Sequence, residues 1–242
     1  IADTSKMGIA GMTAAMLGED TKNYTAEQMG VALQKLGSNI SVNSGLDGTR
    51  FTVQSLKKNI DKTLKLLEER MFQPNFTENA FTRLQKQAME GFKQAKSQPA
   101  TIANNVYDKL MYGSNNILGM SDDGTEYTIK RLSLTDVQNY YNNLLTSQNT
   151  RVVIVGDIKE NEILPSLSFL NKLPNKKTDL QKPSAAVTVN KTVIYLVDVP
   201  KAAQTEFRIG KVTDLKYDAT GEYYKAGFVN YVFGGNFNSR IN

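Results

Sequence analysis

The chain has 242 residues, a size at which a soluble protein buries roughly 70–75% of its unfolded surface, so its core needs no staples. It contains neither cysteine nor histidine, which excludes thiolate chemistry, Ser-His-Asp and Cys-His catalysis, and any zinc site held by imidazole or thiolate. The net charge of +5 is spread over lysines set among acids and turn residues, with no arginine–aromatic platform, and no apolar run nears the ~20 residues of a membrane span, so neither a nucleic-acid partner nor a membrane-spanning segment is expected.

The first periodic segment covers residues 5–18, where Met7, Ala10, Ala14 and Leu17 form one stripe at helical spacing. Thr25 and Gln28 make a capping box, and the helix they start is expected to bury Met29, Val31, Leu33 and Leu36 before Gly37 ends it. Alternating Ile40/Val42 and Phe51/Val53 flank the turn cluster Gly45-Leu46-Asp47-Gly48, the pattern of a β-hairpin with one buried face. Ile60, Leu64, Leu67 and Met71 predict a helix that Gln73-Pro74-Asn75 breaks. The longest helix is expected over residues 78–96 with Phe81, Leu84, Ala88 and Phe92 inward, and Pro99 opens another carrying Ile102, Val106 and Leu110.

Residues 113–131 lack any period and read as an exposed loop. Its Asp122-Asp123-Gly124 lacks the spaced oxygens of a calcium loop and is an ordinary turn. Ser133 and Asp136 cap a helix bearing Leu134, Val137, Tyr141 and Leu144. The apolar run 151–155 before Gly156-Asp157 predicts a strand covered on both faces, and a short helix follows near 160–170. Residues 193–199 and 206–212 read as two strands, and 220–233 as a helix closing on Gly234-Gly235. Strands and helices without regular βαβ alternation predict an α+β layered fold, an antiparallel-rich sheet packed against helices. The lysine-, asparagine- and proline-rich stretch 173–190 is the expected linker between a nearly complete first domain, 1–172, and the start of a second, 191–242. The first residues, Ile1-Ala2-Asp3, and the last, Ile241-Asn242, read as the edges of a fragment.

Four segments together resemble the insulinase/pitrilysin family of zinc metallopeptidases. They are residues 8–37 (GIAGMTAAMLGEDTKNYTAEQMGVALQKLG), the hairpin 39–53, RVVIVGDI at 151–158, and VDVPKAAQTEFRIG at 197–210 with YVFGGNFNSRIN at 231–242. The resemblance covers nearly the whole chain and implies two related α+β domains, the first lacking its N-terminal strands and the second truncated. Active members carry H-x-x-E-H on a helix, which sets two imidazoles on one face to grip zinc and a glutamate to activate water. The matching positions here are Gly11, Ala14 and Ala15 within Gly11-Met12-Thr13-Ala14-Ala15, so the motif is lost. Glu90, in the stretch matching the family's further glutamate ligand, cannot hold zinc alone and reads as a solvated helix residue.

The resemblance therefore implies a non-catalytic half that helps form a clamshell chamber and binds extended peptide. Zinc would sit in an active half, in the same chain or in a second subunit, and this chain itself needs no cofactor. The arginine and tyrosine by which inactive halves hold substrate would lie beyond Asn242; Arg240 belongs to the preceding step and reads as an ion pair or helix-end contact. Gly234, Gly235 and Asn236 match the place of a glycine-rich, substrate-facing loop in related processing peptidases, although two glycines also terminate helices. The alternative is an architectural scaffold subunit with no peptidase role. A carboxylate-only enzyme such as a glycosidase would need two acids across a closed pocket. The basic, Asn/Lys-rich composition is compatible with a bacterial cell envelope or periplasm.

Overall fold

The structure, a computed structural model, describes residues 4–45, 48–114, 116–176, 187 and 191–241. The chain divides into two compact units, Ile1–Val187 with Thr192–Arg208, and Thr188–Lys191 with Ile209–Asn242.

The first unit begins with a 3-10 turn, Thr4–Lys6, and helix α1, Ile9–Met16. Gly8 starts α1 in the left-handed region at φ 88°, where a Cβ costs energy. A Cβ there would also lie 2.5 Å from the Asp123 carbonyl oxygen, and one on Gly124 (φ +80°) would lie 2.5 Å from the Met7 carbonyl oxygen. Two bare backbones thus meet at the entry of α1. The helix buries Ile9, Met12, Thr13, Ala14 and Met16, a wider face than the expected stripe, in which Met7 and Ala10 are half-buried. The reason is tertiary: α1 lies against elements on several sides, among them the two helices later in the chain numbered α4 and α7 below and the first strand of the hairpin.

Helix α2, Ala26–Lys35, carries the capping box in full: Gln28 N–H donates to Thr25 Oγ1 at 3.1 Å and Thr25 N–H to Gln28 Oε1 at 2.9 Å. Met29 and Leu33, four apart, are buried, but Val31 is exposed. At about 100° per residue Val31 points to the opposite side from Met29, so the expected four-residue core face narrows. Strands β1, Asn39–Gly45, and β2, Gly48–Gln54, pair antiparallel with Ile40 opposite Val53 and Val42 opposite Phe51. Leu46 and Asp47 of the expected turn lie outside the described residues.

Helix α3, Ile60–Phe72, is followed by α4, Glu78–Ala95, and α5, Pro99–Tyr112, with Pro99 in the first turn. The expected loop 113–131 is corrected in part. It contains a 3-10 turn, Ile117–Gly119, and helix α6, Glu126–Arg131, started by Thr125, whose hydroxyl accepts from Thr128 N–H, and burying Ile129. A six-residue helix is too short to announce itself by period. Helix α7, Leu134–Leu144, starts on the expected Ser133–Asp136 box, and α8, Glu160–Ile163, runs into a 3-10 segment, Leu164–Lys172.

Two apolar clusters hold this unit together. One joins Met29, Leu33, Ile40, Leu64, Leu67 and Phe169; the other joins Ile9, Met12, Met16, Phe81, Ile129 and Val137. The fold is α+β, helix-rich around a small antiparallel sheet. The expected strands at 151–155, 193–199 and 206–212 are not strands in the structure: they join no ladder with another described segment. Val153 is 85% exposed and Val155 94%, so the covering expected for residues 151–155 is absent among the described residues. Strand character is conferred by neighbours, and a β-branched run alone cannot supply them. Val152 and Ile154 line an apolar groove with Ile158, Ile163 and Leu167.

In the second unit, helix α9, Glu222–Phe233, leaves Tyr223, Phe228, Tyr231 and Phe233 exposed. Of the linker 173–190, residues 177–186 and 188–190 lie outside the described residues.

Candidate functional site

Helix α1 carries the three positions that the resemblance matches to the metal motif, and they do not share one side. Ala15 is exposed, Gly11 is half-buried, and Ala14 is buried at the edge of the core. A Cβ added at Gly11 would meet nothing within 4 Å. Gly11 and Ala15, one turn apart, therefore leave the helix bare where side chains with donor atoms would converge. On α4, Glu90 is exposed and bonded to Lys93 Nζ at 2.8 Å; that hydrogen bond and the lysine charge hold its carboxyl below the usual carboxylate range. Among the described residues no three acids, histidines or cysteines cluster as a metal site. Methyl groups and hydrogens donate no lone pair, so these residues do not fit a zinc ion.

The hairpin next to α1 has an edge that no described strand joins. Arg70, 8% exposed on α3, donates from Nη1 to the Ile40 carbonyl at 2.8 Å, so that carbonyl faces away from β2. Antiparallel geometry then turns the N–H and C=O of Val42 and Ser44 the same way. No described strand pairs there. Arg70 Nε is buried without a partner among the described residues, and burial disfavours the charged guanidinium.

Gly234 and Gly235 end α9: both N–H groups donate to the Asn230 carbonyl, at 2.9 and 2.7 Å. A Cβ on Gly235 would come within 2.9 Å of that same oxygen, so the tight stop itself demands glycine. Asn236 Nδ2 donates to the Tyr231 carbonyl at 3.0 Å, and Arg240 N–H returns to the Val232 carbonyl at 3.1 Å. Asp122-Asp123-Gly124 forms the turn that abuts the start of α1.

A family model described as Insulinase (Peptidase family M16) matches residues 1–118, and one described as Peptidase M16 inactive domain matches residues 131–242. The chain belongs to the insulinase family. Among curated insulinase-family relatives, a "non-peptidase homolog YmxG" of Helicobacter pylori is 26% identical over 243 residues, covering 100% of this chain and 55% of the relative. An "uncharacterized zinc protease YmxG" of Bacillus subtilis is 21% identical over 178 residues, covering 73% of this chain and 43% of the relative. The chain thus spans about half the length of these relatives. A solved structure of a peptidase M16 inactive domain from Pseudomonas fluorescens superposes with a TM-score of 0.69 at 21% identity, covering 77% of this chain and 46% of that one. At that identity the likeness shows the insulinase-like fold.

Two features of this insulinase-family chain escaped the sequence. Arg70 sits inside the apolar stripe of α3 and carried no pattern of its own. Lys22, in the turn between α1 and α2, joins Phe72, Phe76, Gln138, Tyr141 and Asn142 around a cleft of about 300 Å³. Those residues are up to 120 positions apart, and only the aromatic spacing near Pro74 hinted at them.

Proposed function

We propose that this chain is a non-catalytic portion of an insulinase-family peptidase, helping to wall a clamshell chamber and to bind extended peptide. The observation that supports this is α1: the helix that resembles the family's metal-motif helix packs Ile9, Met12, Thr13 and Met16 inward, and Gly11, Ala14 and Ala15 offer no ligand atom. A partner half bearing H-x-x-E-H, in the same polypeptide or as a second subunit, would hold the zinc. The edge of β1 that no described strand joins supports peptide binding by strand addition, which gives backbone hydrogen bonds that tolerate sequence. We also assign peptide contact to Gly234, Gly235 and Asn236, where two adjacent glycines let a peptide backbone pass close. We divide the chain into a first domain, 1–172, a linker, 173–190, and the start of a second domain, 191–242.

The test is reconstitution. The purified chain is expected to cleave no peptide with or without zinc, and to raise zinc-dependent cleavage when mixed with a partner half bearing H-x-x-E-H. Hydrolysis by the chain alone, or an active half indifferent to its presence, would overturn the proposal. The name "non-peptidase homolog" borne by the H. pylori relative favours a second reading, a scaffold outside proteolysis. Stable association with a partner that changes no cleavage rate would select it.

A further inference from the structure

We propose that the cleft between the α1–α2 turn, the end of α3 and α7 binds the C-terminal residue of a peptide, one with a large apolar side chain. The inference stands independently of the reconstituted peptidase described above. Three aromatic residues, Phe72, Phe76 and Tyr141, line the cleft together with Pro74. Lys22, Gln138 and Asn142 bring polar side chains to the lining, and no acidic residue is among the lining residues. Gln138, Tyr141 and Asn142 fall at i, i+3 and i+4 on α7 and so share one face of that helix. Lys22 makes no ion pair or side-chain hydrogen bond with a described residue, which leaves its charge available to a ligand.

The cleft is held in shape before anything enters. Lys22 N–H donates to the Gln73 carbonyl and Asn75 N–H to the Asp20 carbonyl, both at 2.9 Å, joining one wall to the end of α3. Tyr141 Oη donates to the Met71 carbonyl at 2.6 Å, and the Tyr141 and Phe76 rings meet edge to face at 5.2 Å. Phe72 is braced from behind by Phe169 at 6.4 Å. Preorganised walls spare a ligand the cost of ordering them.

Chemistry and size together choose the occupant. Aromatic rings want a large apolar group, and a lysine with two amide donors wants a carboxylate within one residue's reach of it. About 300 Å³ is the lower end of small-molecule sites, room for one large residue rather than two. A C-terminal residue carries its carboxylate on the same Cα as its side chain and satisfies both demands at once. An internal aspartate or glutamate would need a second, apolar residue in the same space.

The test uses the ¹⁵N-labelled chain and three acetylated peptides. One is Gly-Gly-Phe with a free carboxylate, one the same peptide amidated, and one an amidated peptide with Phe followed by Asp. The free acid is expected to shift the amide signals of Lys22, Phe76, Gln138 and Asn142, and to bind at least tenfold more tightly than either amidated peptide. Lys22→Gln, at an exposed position, is expected to weaken the free acid at least fivefold and leave the amidated Gly-Gly-Phe unchanged. Absence of shifts at these residues, equal binding of acid and amide, or an unaffected K22Q variant would overturn the proposal. Equal binding of the Phe-Asp peptide would overturn the terminal-carboxylate reading.

Discussion

Gly124→Ala adds one methyl group at the contact that positions α1. Gly124 holds φ +80°, and the left-handed region costs a residue with a Cβ about 1–2 kcal/mol. The methyl would also sit 2.5 Å from the Met7 carbonyl oxygen and 2.9 Å from Thr128 Oγ1, so the turn must move away from the start of α1; overpacking of this kind costs about 1–3 kcal/mol. Together the change is expected to destabilise the chain by about 2–5 kcal/mol, a large share of the ~5–15 kcal/mol typical of a domain. Gly11→Ala is the matched control on the same helix. Its Cβ meets nothing within 4 Å, and helix propensity predicts a gain of up to about 1 kcal/mol. Urea unfolding followed by circular dichroism should show a midpoint lower by roughly 1 M for G124A and unchanged or higher for G11A. Hydrogen exchange should show lost protection in residues 7–17 of G124A only. An unshifted midpoint for G124A, or an equal loss in both variants, would refute the backbone-contact argument.

Two further perturbations test how the first unit is clasped and how it responds to acid. Thr63, fully buried, links Ser38 Oγ at 2.8 Å and Ser55 Oγ at 2.9 Å, joining both ends of the hairpin to α3. Thr63→Val keeps the shape and strands part of this network, and is expected to cost about 1–2 kcal/mol in urea unfolding; no change would show the hydroxyls to be idle. Asp136 accepts from Lys6 Nζ at 2.7 Å and from Ser133 N–H at 3.0 Å, and these bonds, the lysine's first, hold its carboxyl below the ordinary range. A depressed folded pKa stabilises above the unfolded value and the gain is lost as pH falls through the folded one. The unfolding midpoint should therefore drop below about pH 4 by an amount worth about 1 kcal/mol, and Asp136→Asn should flatten that part of the profile. A variant with the same acid slope as the parent would exclude Asp136 as its source.

Local codes were legible in the chain because their physics is local. The Thr25–Gln28 and Ser133–Asp136 boxes, the glycine stop after α2, the Pro99 start of α5 and the hairpin around residues 45–48 each depend on residues close to one another in the chain. The absence of histidine and the bare Gly11, Ala14 and Ala15 were equally plain, since a missing donor atom needs no fold to be recognised. The insulinase-family assignment rests on the order of such segments.

What lay beyond the sequence was everything that depends on which segments become neighbours. The run 151–155 has the composition of a covered strand, yet only partner strands could make it one, and no described segment supplies them. Helix α6 emerged from an aperiodic stretch because Ile129 found the cluster around Met12 and Val137. The buried Arg70 at the hairpin edge and the Lys22 cleft unite residues from separate elements. Hydrogen bonding within a turn is written in adjacent letters, whereas burial, strand pairing and the meeting of distant side chains are decided by the tertiary arrangement.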